Sequence, residues 1–140
     1  MHEQSWGGRL ATAVSRVDLH CHTTASDGGL SAKELVAKAA DLGIEVLAIT
    51  DHDTTEGVPA ALSEAQRRGV VVVPGVEISA DSGREEIHLL GYFVDPDKAE
   101  LQALLSRARE ARRARARKML DRLAELGLPV EWDRLVEVSG

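Results

Sequence analysis

Apolar residues in this chain come in short bursts, and the spacing changes from burst to burst. Val17, Leu19 and Cys21 alternate with Asp18, His20 and His22, so Arg16 to Thr23 reads as a strand. Leu35, Val36, Ala39 and Leu42 then recur at helical spacing. Ser31-Ala32-Lys33-Glu34 has the form of a capping box at the start of that helix, and Gly43 is a natural stop. Glu45 to Thr50 is a second, shorter strand. Asp53-Thr54-Thr55-Glu56 has capping-box form again, opening a helix that Gly69 closes. Val70 to Val73 is an unbroken apolar run, the signature of a strand buried on both faces. Glu86 to Val94 is a fourth strand. Asp97-Lys98-Ala99-Glu100 opens a long helix to about Leu126, stopped by Gly127 and Pro129, and Trp132 to Val138 can hold a last short helix.

The first three strands alternate with helices, the pattern of parallel βαβ units and an α/β fold. The third-to-fourth connection is too short for a crossover helix, so that step is expected to be less regular. Composition shifts at Asp95-Pro96-Asp97, where strands give way to an Arg/Ala/Leu helix. The expected organisation is a polar lead-in over 1–15, an α/β unit over 16–95 and a helical segment over 96–140.

At 140 residues the chain has the length of one domain, with 44% hydrophobic content but only 3% aromatic, so aliphatic side chains must fill the core. The net charge of -6 argues against a general nucleic-acid coat or an anionic-membrane binder. That charge is uneven: Arg107 to Lys118 alone sums to +6, leaving -12 for the remainder. The single cysteine, Cys21, rules out an internal disulfide framework and fits the cytoplasm. No apolar run reaches membrane-spanning length, and Met1 to Ser15 lacks the basic-then-apolar order of a secretory signal.

The chemistry lies at the strand ends, where parallel α/β folds gather functional groups. His20, His22 and Asp27 follow the first strand, Asp51 and His52 the second, and Glu77 the third, while His88 lies on the fourth. Four of the five histidines are used in this way; His2 is left over. Residues i and i+2 of a strand face the same side, so His20 and His22 aim together. Imidazole and carboxylate donors together suit zinc, manganese or iron. Six candidate donors exceed the needs of one ion, so two or more ions are expected, with Glu77 as the bridging carboxylate. Such ions generate hydroxide from bound water near neutral pH and offset charge on a phosphoryl oxygen, so the expected chemistry is hydrolysis, with phosphate as the favoured centre.

This constellation resembles the polymerase-and-histidinol-phosphatase (PHP) family of metal-dependent phosphoesterases. The matching residues are His20-Cys21-His22 through Ser26-Asp27-Gly28, Thr50-Asp51-His52, Gly75-Val76-Glu77 and His88, over residues 16–95. The resemblance implies a distorted (β/α)7 barrel, here incomplete, holding two or three divalent ions. It makes His20, His22, Asp27, His52, Glu77 and His88 the metal ligands, with manganese the first choice and iron, zinc or magnesium as alternatives. The Asp at 27, the His88-Leu89-Leu90-Gly91-Tyr92 segment and the Arg-rich helix look like one branch of the family. That branch comprises nucleotide phosphatases and exonucleases acting on RNA 5′ ends. It implies a phosphorylated small molecule, a nucleotide or a short RNA or DNA end as partner, and a helical insertion beginning near residue 97. Family members are about twice this length and complete the site with a late His and an Asp-x-His pair, so the chain resembles an N-terminal half. An incomplete barrel exposes sheet edges and its inner face, so pairing with a C-terminal half, pairing with a second copy, or marginal stability is expected.

Each residue also has a plainer reading. His20 and His22 alone could be ordinary strand histidines. Cys21 faces away from its neighbours and reads as packing. Asp51 and Asp18 are candidates for orienting ligands from behind, Asp53 for a helix cap, and Gly28 and Gly29 for a tight turn. Arg109, Arg113 and Arg117, four apart, form a helix stripe that is either solvated or a lip that captures phosphate. Two competing functions stay open: an amidohydrolase-type hydrolase, which usually relies on a bridging lysine absent between Lys38 and Lys98, and a metal-binding module without turnover.

Overall fold

The computed structural model describes residues 16–81 and 86–139; the lead-in over 1–15 and His2 lie outside them. The order of elements is β1 (Val17–Cys21), α1 (Ala32–Asp41), β2 (Val46–Ile49), α2 (Val58–Arg68), β3 (Val71–Asp81), β4 (Glu86–Tyr92), α3 (Ala99–Glu125) and α4 (Trp132–Ser139). The strands form one sheet in the order β1-β2-β3-β4. β1, β2 and β3 pair in parallel, whereas β3 and β4 pair antiparallel.

β3 is much longer than the valine run that announces it. Its first part, Val71 to Pro74, pairs with β2, and from Gly75 onward it pairs with β4. The handover falls at Gly75, where a Cβ would come within 2.8 Å of the Ile49 carbonyl, so backbones approach too closely for a side chain. β3 and β4 are therefore antiparallel neighbours rather than a parallel pair joined by a crossover. Burial on both faces does not hold along the whole valine run either: Val70, Val72 and Val73 are buried, but Val71 is 59% exposed.

The core lies between the sheet and helices α1 and α2. Val36 and Ala39 of α1, Val58, Ala61 and Ala65 of α2, and Leu47, Ile49, Val70 and Val72 of the sheet form one cluster. Ser31 and Glu34 make the reciprocal capping box at the start of α1. The second expected box does not form. The N-cap of α2 is Gly57, with no side-chain cap and Pro59 within the first helical turn, and Asp53 is used elsewhere. Gly69, at φ +71°, closes α2 in the left-handed conformation that glycine adopts without penalty. α3 buries only Leu105 completely. Its register is set by polar contacts instead: Gln102 donates to the Thr55 hydroxyl (2.9 Å) and the Pro96 carbonyl (2.7 Å).

Candidate metal centre

β1 carries an irregularity between Asp18 and Cys21: three steps on β1 match two on β2. A bulge of this kind re-aims side chains. Asp18 lies beside the Cys21 thiol and accepts a hydrogen bond from the His20 backbone N–H (3.3 Å). His20 and His22 converge, with their Nε2 atoms 3.1 Å apart. His52, just beyond β2, forms an isolated parallel bridge with Glu77 of β3. Glu77 lies opposite Leu90 and Ser79 opposite His88 in the β3–β4 ladder, so Glu77 and His88 are diagonal neighbours on one face.

Glu77, 3% exposed, sits at the centre. Its Oε2 lies 2.9 Å from His20 Nε2 and 2.8 Å from His22 Nε2, while its Oε1 lies 2.6 Å from His88 Nδ1. Asp27 closes the other side, with Oδ1 2.6 Å from His22 Nδ1 and Oδ2 3.6 Å from His52 Nε2. Three trios of donor atoms result: His20, His22 and Glu77; His22, Asp27 and His52; and His52, Glu77 and His88. In each, the donors lie within 4.8 Å of one another. Among the described residues, nothing hydrogen-bonds the buried His52 Nδ1, and Glu77 Oε2 stands 3.6 Å from it.

Burial works against ionising Glu77, but hydrogen bonds from His20 and His88 and the charges of His52 and His20 outweigh it and hold the carboxyl below its ordinary range. Asp27 follows the same logic: burial opposes its charge, and His22 and His52 lower its pKa nonetheless. Burial is the largest influence on His52 and lowers its pKa; Arg112 and His22 add to this, against Glu77 and Asp27. A carboxylate pair kept ionised beside an imidazole kept neutral is a donor set ready for a cation.

Asp51 is completely buried directly behind this cluster. It accepts hydrogen bonds from the Thr23 N–H (2.7 Å), the Thr23 hydroxyl (2.8 Å) and the Ser26 hydroxyl (2.7 Å). It thereby pins the loop that carries His22 and Asp27. Gly28 belongs to the same loop: a Cβ there would fall 2.3 Å from the His22 carbonyl oxygen, so only glycine fits. Gly29 has open space around it. Thr23 and Gly57, which packs against Asp51 and Thr23, were invisible as site residues in the sequence because turn-formers carry no distinguishing pattern, and Ser26, part of the matched motif, read as a turn former.

An open cleft of about 440 Å³ adjoins the cluster. Asp27, His52 and Asp53 line one side, Arg109, Arg112 and Arg113 of α3 another, and Trp132, Leu135 and Val136 of α4 the far end. Arg117 is not among the lining residues; its guanidinium lies over the Trp132 ring, 4.9 Å from the centroid. Steps of four residues drift by about 40° each around a helix, so the stripe expected from Arg109 to Arg117 leaves the cleft by its third member. Arg112 takes the place nearer to Asp53. Counting three-residue as well as four-residue steps would have found it.

The PHP domain family matches residues 18–126. The chain belongs to that family. The PHP chain is 42% identical over 124 residues to the 5′-3′ exoribonuclease Rnm of Salmonella typhimurium, covering 87% of this chain and 42% of the relative. It is 40% identical over 115 residues to a 3′,5′-nucleoside bisphosphate phosphatase of Chromobacterium violaceum, covering 82% and 40%. A solved structure described as an amidohydrolase from Chromobacterium violaceum, with bound sulfate and no metal, superposes with a TM-score of 0.76 at 39% identity, covering 85% and 42%. The PHP chain thus spans less than half the length of these relatives, and its sheet and helices correspond to part of a PHP-type barrel.

Proposed function

We propose that this protein is a metal-dependent phosphoesterase acting on phosphate esters of nucleotides or oligonucleotide ends in the cytoplasm. In this reading His20, His22, Asp27, His52, Glu77 and His88 hold two or three divalent cations, manganese first, with iron, zinc or magnesium as alternatives. Residues 16–95 supply part of the barrel and 96–140 the start of a helical insertion. The observation that carries the reading is the placement of Glu77: one oxygen meets His20 and His22 and the other meets His88, so the carboxylate stands between two groups of donors, as a shared ligand would. The buried, unpartnered His52 Nδ1 and the close approach of His20 Nε2 to His22 Nε2 both fit a shared cation better than an empty cluster. Cations held there would supply Lewis acidity and an activated water near neutral pH.

The chain's own residues do the rest. Asp27, against His22 Nδ1, fixes the ring so that its Nε2 is presented to Glu77. Asp51 keeps the His22–Asp27 loop in register. Arg109 and Arg113 line the cleft beside His52, where guanidinium groups bind phosphate oxygens in pairs, while Arg112, on the same wall, is engaged by Asp53. Relatives described as an exoribonuclease, a bisphosphate phosphatase and, in Eggerthella lenta at 42% identity, a phosphoribosyl 1,2-cyclic phosphate 1,2-diphosphodiesterase support a phosphate ester of a nucleotide or of a ribose phosphate. No lysine lies between Lys38 and Lys98 to bridge two ions, which weighs against amidohydrolase-type chemistry despite the description of one solved relative.

The test is elemental analysis after manganese loading, together with phosphate or nucleotide release from a nucleoside monophosphate, a 3′,5′-bisphosphate and a 5′-phosphorylated oligoribonucleotide. Bound manganese with turnover of at least one ester is expected. A protein that takes up no cation sinks the reading. Cation uptake without turnover selects the second reading, a metal-binding module, which the open side of the cluster favours: the His20 and His88 side chains are 52% and 39% exposed.

A further inference from the structure

Asp53 follows His52 and has the look of a helix cap in the sequence, yet it caps nothing. It is 1% exposed and sits at φ +52°, a left-handed conformation that Asp tolerates better than most residues but that still costs energy. Every polar group it owns is engaged. Its N–H donates to the Glu77 carbonyl (2.8 Å), and its own carbonyl accepts from Arg109 Nη1 (2.6 Å). Carboxylate Oδ1 accepts from the Ser79 N–H (2.9 Å), and Oδ2 accepts from both Nε (3.2 Å) and Nη2 (2.9 Å) of Arg112. Arg112 also donates to the Ser79 hydroxyl. One residue therefore joins three elements: the loop that carries His52, the stretch of β3 that carries Glu77, and the face of α3 that carries the guanidinium groups.

We propose that Asp53 is a positioning residue that sets where the guanidinium row of α3 stands relative to the imidazole cluster. It belongs to none of the three donor trios. Its two bonds to β3, at Glu77 itself and at Ser79 two residues on, fix its own place first. Its bonds to α3 then reach two arginines one turn apart, which defines both the height and the rotation of the helix. Among the contacts of the described residues, Leu105 is the fully buried side chain of α3, and the Gln102 contacts hold its first turn. The buried carboxylate needs Arg112, since alone its charge would be left uncompensated, whereas the Arg112 side chain is 38% exposed. The cleft thus has a fixed width between His52 and Asp27 on one side and Arg109, Arg112 and Arg113 on the other.

The inference uses the phosphoesterase reading only for its choice of ligand, and its test separates the two. Asp53→Asn keeps the size, removes the charge and turns an amide toward Arg112. Manganese affinity should stay within about twofold of the wild type, whereas inorganic phosphate should bind the manganese-loaded protein roughly tenfold more weakly. Amide exchange across residues 105–116 should quicken, while that of β2 stays slow. Arg112→Gln, on the partly exposed partner, should reproduce both effects should Asp53→Asn fail to fold, and the double variant should be no worse than either single one. Gln102→Ala, which loosens α3 elsewhere, should disturb phosphate binding less. Equal loss of manganese and phosphate, unchanged exchange in α3, or additive effects of the two single variants would overturn the assignment. If the wild type binds no phosphate at all, the phosphoesterase reading fails, and the exchange measurement still decides the role of Asp53.

Discussion

The cluster end of the sheet and the helix α3 form two sides of one cleft, and they are held in place by different forces. His20, His22, His52 and Glu77 stand at the ends of parallel strands whose opposite face packs Leu47, Ile49, Val70 and Val72 against α1 and α2. Their positions are inherited from a ladder and an aliphatic core. Among the described residues, α3 has no such backing: it is a long, basic, mostly exposed helix whose anchors include Leu105, Gln102 and two arginines. The comparison teaches that this site combines a rigid half, whose geometry follows from the fold, with a half docked by a few polar contacts. Proposed ligands sit on the first and proposed phosphate contacts on the second, so a small number of residues can tune recognition without disturbing the ions.

The largest effect should come from the centre of the rigid half. Glu77→Gln keeps the shape but removes the charge shared by two trios, and manganese affinity should fall by at least about 100-fold, as read by calorimetric titration. Near-normal manganese binding in that variant would mean that the cluster is not the metal seat.

Next come matched truncations on the two sides. Leu47→Ala opens a cavity within the core, and the cost, about 2–5 kcal/mol, should show in global urea unfolding. Leu105→Ala removes an equally buried side chain, but from the docked helix. It should lower the global midpoint less and instead speed proteolytic cutting within α3. Equal global losses would erase the distinction between a rigid and a docked half.

The smallest effect concerns Cys21, which sits between two proposed ligands but turns toward the core. Burial, helped by the hydrogen bond and charge of Asp18, pushes its thiol up to about 12. A raised thiol pKa means less thiolate at any given pH, so alkylation by iodoacetamide at pH 8 should be at least about tenfold slower in the native protein than in urea. Rapid native labelling would place Cys21 on the cleft side of the strand.

Much of the rigid half was legible before any coordinates. Strand alternation and the short βα spacings imply a parallel α/β sheet, and the strand-end rule brings His20, His22, His52 and Glu77 to one edge, because periodicity and topology are local properties of the chain. The remainder depended on contacts between segments far apart in sequence. The bulge in β1 turned Asp18 to the Cys21 thiol, β3 and β4 paired antiparallel, and about 80° of drift over two four-residue steps took Arg117 out of the cleft while Arg112 stood in it. Asp53 is the clearest case. Its local pattern suggests a helix cap, but Arg112, 59 residues away, and Ser79, 26 residues away, satisfy its carboxylate better than its own backbone could. Sequence by itself determined which residue types meet at the strand ends, because backbone geometry repeats; tertiary structure decided what stands opposite them, because that depends on how a distant helix is rotated and docked.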